Sequence, residues 1–179
     1  MKSALLLTAC AALLAAPVWA QQKAHLHGFV TLNIAVQGGQ LTVQLEAPLD
    51  SLLGFEHRPR TDAQRKAAES ALAVINKPQD WLRPDAAAQC KLVRTDVQAD
   101  ALQPAAKPAA KADAKTDEHT DLEAAVDFTC AEPGQLKALD LGLFDAFPRI
   151  NRIDVQVAGA GGQLKQTLRR PARAVRLVR

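Results

Sequence analysis

The chain has 179 residues, 48% apolar side chains, a formal net charge of +3, three Cys, four His and no Tyr. That length holds one domain with a real core and is short for two. About a fifth of the chain is Ala and aromatics make up only 4%, so the core is expected to be modest.

Met1 to Ala20 reads as a secretory signal peptide: Lys2 gives the positive start, Ala4 to Ala16 the apolar run, and Val18-Trp19-Ala20 the small-residue cleavage site. The apolar run is short for a bilayer span and Pro17 closes it. Leu7-Thr8-Ala9-Cys10 has lipobox character, but would leave only a few apolar residues before Cys10. The mature protein is therefore expected to begin at Gln21, in a bacterial periplasm, with no stable membrane insertion. Cys90 and Cys130 remain there, and an isolated pair in an oxidising compartment favours a disulfide. Closing a loop of about 40 residues would stabilise the fold by roughly 4 kcal/mol in the chain-entropy account.

Residues 21–179 are expected to form a single α+β metal-binding domain. Val30, Leu32, Ile34 and Val36 alternate before Gly38-Gly39, and Leu41, Val43 and Leu45 alternate after it. A two-residue Gly loop suits a primed turn, whose positive φ Gly adopts cheaply. This predicts a hairpin over Leu26 to Glu46 in which Gln37 faces Gln40 and one face is apolar throughout.

Thr61-Asp62-Ala63-Gln64 fits a capping box, and Ala67, Ala71, Leu72, Val74 and Ile75 follow at helical spacing until Asn76-Lys77-Pro78. Strands are expected at Cys90 to Val97, His119 to Cys130, Arg152 to Val157, Gln163 to Leu168 and Ala172 to Val178. Leu136 to Phe147 reads as a short helix or an irregular apolar segment. Residues 100–118 reduce largely to Ala, Lys, Pro and Asp, which predicts a flexible inserted loop with nothing to bury. The expected fold is thus α+β, mainly antiparallel sheet with one or two packed helices; a β-sandwich is the alternative.

The last eleven residues carry five Arg and no acid, leaving the rest of the mature chain mildly acidic. Their alternation with Val175, Leu177 and Val178 fits a solvated edge strand guarded by charge better than a nucleic-acid contact.

His25 and His27 share the parity opposite to Leu26, Val30 and Leu32, and so point off the core face. On the later strand, Leu122, Ala124, Val126, Phe128 and Cys130 form the core set, with His119, Asp121 and Glu123 on the other side. If the two strands are near neighbours, imidazole and carboxylate share one surface. Such a cluster suits a divalent transition metal, and imidazole accepts Zn2+, Cu2+ and Ni2+ alike. No nucleophile elbow and no His-Glu-x-x-His motif is present, which argues against an enzyme.

Several short motifs occur in a telling order: His25-Leu26-His27-Gly28, the hairpin behind it, Gly54-Phe55-Glu56-His57, the His119-Thr120-Asp121 strand ending in Cys130, and Leu143-Phe144-Asp145-Ala146-Phe147-Pro148. In this order the chain resembles the ZrgA-like family of periplasmic proteins associated with bacterial zinc uptake. The resemblance implies a periplasmic accessory that captures Zn2+ and assists its delivery to a zinc-uptake ABC transporter. His25, His27, His57 and His119 are the candidate ligands, Asp121 the likeliest carboxylate, and Glu56 a ligand or an orienting group. Members often carry a His-rich central loop; residues 100–118 here contain no His, which argues for about one ion rather than several. The competing reading is a non-catalytic envelope adaptor with incidental His.

Overall fold

The computed structural model describes residues 27–102 and 121–177. The expected signal peptide, residues 103–118 of the expected loop, and both His25 and His119 lie outside the described residues. Among the described ones the fold is α+β, and it is built on the hairpin that the Gly38-Gly39 pair predicts.

Strand β1 (Phe29–Gln37) and strand β2 (Gln40–Pro48) pair antiparallel, with Gln37 opposite Gln40, Ile34 opposite Val43 and Leu32 opposite Leu45. Helix α1 (Leu49–Leu53) follows at once, ended by Gly54. Helix α2 (Asp62–Ile75) begins with the expected capping box: the Thr61 hydroxyl accepts from the Gln64 backbone N–H, and the Gln64 side chain accepts from the Thr61 N–H. Thr61→Ala should therefore lower stability by about 1 kcal/mol, read as a shifted urea midpoint with unchanged slope. Ala68, Ala71 and Ile75 bury one stripe of this helix.

Helix α3 (Pro78–Trp81) runs into strand β3 (Leu82–Pro84), and then come strands β4 (Cys90–Gln98), β5 (Asp121–Cys130) and β6 (Ala138–Leu141). Helix α4 (Leu143–Ala146) and strands β7 (Arg152–Gly159), β8 (Gly162–Leu168) and β9 (Ala174–Arg176) complete the described chain. The apolar segment Leu136 to Phe147 is thus a strand followed by a one-turn helix. Ala101 is buried in a short 3-10 turn over Asp100–Leu102, so the expected loop does not begin at residue 100.

Six strands form one sheet in the order β4-β5-β2-β1-β7-β8. All its pairings are antiparallel except β1 with β7, which is parallel. Cys90 and Cys130 face each other across β4 and β5 and are joined by a disulfide. A second sheet, β3-β6-β9, packs with the helices on the apolar face of the first. The core joins Leu32, Val43, Val126 and Val155 from the large sheet to Trp81, Leu139, Leu143 and Val175. Its other face carries Thr31, Asn33, Gln44, Glu46, Glu123 and Gln156, so binary alternation alone decides which side meets water.

The basic C-terminal stretch forms the expected edge strand with exposed Arg, and two of its arginines also tie it to the rest of the fold. Arg170 donates to the carbonyls of Phe144, Phe147, Pro148 and Ile150, and its guanidinium lies over the Phe144 ring. Arg173 pairs with Asp140 and Asp145. Val175 is fully buried, so β9 closes the core while forming the edge of the small sheet. In β9 Val175 packs inward while Ala174 and Arg176 face solvent.

Candidate metal site

Strand β1 starts at Phe29, not at Leu26 as the alternation suggested. Gly28, at φ 74°, turns the chain sharply just before it. A Cβ there would lie 2.9 Å from the Arg149 carbonyl oxygen and 2.5 Å from the Asn151 side chain, so both the turn and the close approach require Gly. The Gly28 carbonyl accepts from the N–H groups of Asn151 and Arg152. Strand parity therefore stops at Gly28 and does not orient His27. The turn and its neighbours do that instead.

His27 stands largely in water, with its imidazole 71% exposed, but one nitrogen is held: Nδ1 lies 2.7 Å from Oδ2 of Asp50, a carboxylate only 20% exposed. An ionised carboxylate only accepts, so Nδ1 carries the proton, and in the neutral ring the lone pair is then on Nε2. Asp50 sits in the first turn of α1. The next residue, Ser51, is fully buried, and its hydroxyl accepts from the Phe29 N–H and donates to the Phe29 carbonyl, both at 3.1 Å. That hydroxyl is committed to the backbone.

His57 shows the same polarity by a different route. It lies in the segment after α1, stacked on Phe55 with ring centroids 5.2 Å apart, and its Nδ1 is 2.8 Å from the Arg58 carbonyl oxygen. A carbonyl also only accepts, so Nδ1 donates, and in the neutral ring the lone pair is again on Nε2. Glu56, between these rings in sequence, has one carboxylate oxygen, Oε1, that is buried without a hydrogen-bond partner among the described residues. A buried carboxylate oxygen left so is costly unless a cation or proton satisfies it.

Asp121 opens β5 opposite Pro48, the last residue of β2. Glu123 then faces Glu46, and the two lie with Asp96 along a groove of about 310 Å³ on the polar face of the sheet. Carboxylates on adjacent strands make this end of the face electronegative. Among the described residues no three His, Cys, Asp or Glu side chains come close enough together to hold a metal ion by themselves.

The expected juxtaposition of strands is overturned. The strand that follows His27 and the strand that follows His119 are not neighbours, because β2 runs between β1 and β5. A hairpin partner fills the place beside β1, and β7 takes the other side by parallel pairing. Thr31 faces Glu46 and Pro48 faces Asp121, so β1 and β5 nevertheless start at the same end of the sheet, flanking the end of β2. Asp50 escaped the sequence reading altogether. It is 23 residues from His27, and no local spacing links the two.

A mixed sheet that carries imidazole and carboxylate groups at one end, on a disulfide-pinned α+β core, is the class that this geometry defines. Residues 24–177 match the family described as ZrgA family zinc uptake protein, and the chain belongs to that family. Its role is in zinc uptake. No curated protein matches the chain. No helix among the described residues is long and apolar enough to cross a membrane.

Proposed function

We propose that the protein is a non-catalytic periplasmic zinc carrier that captures Zn2+ and passes it to a zinc-uptake ABC transporter. Residues 1–20 act as its cleaved signal. The observation that carries this reading is that His27 and His57 both have Nδ1 engaged by an acceptor and Nε2 free to ligate. Imidazole ligands of zinc characteristically have their second nitrogen held by a carboxylate or a carbonyl.

Two imidazoles do not complete a zinc shell, and the remaining ligands are assigned to His25, His119 and Asp121, with Glu56 as ligand or orienting group. His25 precedes His27 by two residues and His119 precedes Asp121 by two. Ligands from the approaches to β1 and β5 would meet around the end of β2, where the chain leaves the sheet as α1. A site assembled from separate approaches, at a water-facing end, suits an ion that must be released again rather than one locked into the fold.

Protein purified from the periplasm without chelator should contain about one zinc per chain, removable by chelator and restored by titration. Absence of zinc in both the purified and the titrated protein would remove the reading. The adaptor reading would then stand on β4, an edge strand whose Leu92 and Val93 are 43% and 64% exposed.

A further inference from the structure

The five-residue helix α1 touches the candidate site at two points that no sequence pattern foretells. Its Asp50 carboxylate holds Nδ1 of His27, and its Ser51 hydroxyl holds both backbone groups of Phe29, two residues further along the same turn. Leu49 and Leu52 bury the rest of the helix in the core, and Pro48 joins it directly to β2. The carboxylate is therefore delivered by an element anchored to two strands and to the core. The side chain it grips is otherwise solvated and free to turn about its χ angles.

Resting on the zinc reading above, we infer that Asp50 is the positioning residue of His27: it fixes the imidazole as the Nδ1–H tautomer with Nε2 outward, so that a zinc ligand is formed before the ion arrives. Without it, an imidazole so exposed would sample both tautomers and several rotamers, and ordering it would be charged against metal affinity. The anionic acceptor also draws on the Nδ1 proton and makes Nε2 the better donor to a cation.

The test uses the mature chain with zinc alone as the probe. Affinity is read by competition with a chromophoric chelator, and the His27 tautomer by long-range 1H–15N NMR of the zinc-free protein. The parent should show a single Nδ1–H tautomer. Asp50→Ala should bind zinc about 10- to 100-fold more weakly and lose the single tautomer. Asp50→Asn is isosteric, and its amide oxygen still accepts from Nδ1. It should keep the tautomer and weaken zinc by roughly threefold or more, less than the Ala variant. Because that change preserves shape, it decides the matter even if the Ala variant does not fold. Parent-like affinity in the Asn variant and in any folded Ala variant, or an unchanged single tautomer in Asp50→Ala, overturns the role of Asp50 and leaves the zinc reading standing. A parent that binds no zinc overturns the zinc reading and this role with it, while a His27→Ala variant that binds zinc as the parent does removes His27 from the ligands and overturns this role alone.

Discussion

Replacing His27 and His119 together by Ala is expected to weaken zinc binding by several orders of magnitude while the fold survives. In the proposed site each change would remove a neutral nitrogen donor from a shell of about four, and water is a poor substitute for imidazole there. His27 is exposed in a turn, off the core, and the ladders that hold β5, to β2 from Asp121 and to β4 from Glu123, are made by residues other than the two replaced. Isothermal titration of the single and double variants checks this, with thermal unfolding of the metal-free proteins as the control. Single variants that bind zinc as tightly as the parent would strip the reading of its residues, and the adaptor reading would take its place. The double variant separates two further cases. If His27 and His119 ligate one ion, the second removal costs far less than the first, because the site is already broken.

Trp81→Ala is expected to cost about 3–5 kcal/mol of stability, a large part of the 5–15 kcal/mol typical of a domain. Trp81 is the largest fully buried side chain among the described residues, and its indole Nε1 donates to the Ile75 carbonyl at 3.3 Å. It ends α3 where that helix runs into β3, so the ring locks the turn after α2 to the small sheet. Gly142 packs directly against its backbone, where a Cβ would lie 3.2 Å from the Trp81 Cα. With aromatics at 4% of the chain, few other rings could fill the cavity. Urea unfolding with the disulfide intact measures the loss. A cost below about 1 kcal/mol would mean that the site collapses around the deletion, and that the two sheets do not depend on this ring. Trp81→Phe, which keeps most of the volume but not the N–H donor, should fall between the two.

How far the sequence could be read depended on how local each signal was. The hairpin with its register, the capped helix α2, the core face of β5 and the strands β7 and β8 all rest on alternation, helical spacing or turn chemistry within about a dozen residues. Each stands close to where those signals put it. The Cys90 and Cys130 pairing was legible for a different reason, since an isolated pair leaves a single partner. The candidate site was legible as a set of imidazole and carboxylate positions, but not as an arrangement. Parity placed His27 on a strand face, whereas Gly28 breaks the strand before it. Spacing has no means of registering Asp50, because a helix packed beside β1 brings together residues far apart in the chain.

By itself the sequence determined which residues are apolar, which segments extend or coil, and where the chain must turn, because those follow from side-chain size, branching and the freedom of Gly at single positions. It also determined the family, through the order of short motifs along most of the chain. Only the tertiary structure decided that β2 separates β1 from β5, that β7 pairs parallel to β1, and that the segment from Leu136 divides between a strand of a second sheet and a one-turn helix. A strand with a good apolar face fits beside several partners, and the choice among them belongs to the packing of the whole core. The C-terminal arginines show the same division. Their sequence alternation announces a strand with one charged side, but that the charges reach the carbonyls in and just after α4 and the carboxylates of Asp140 and Asp145 is fixed by β9 docking against β6.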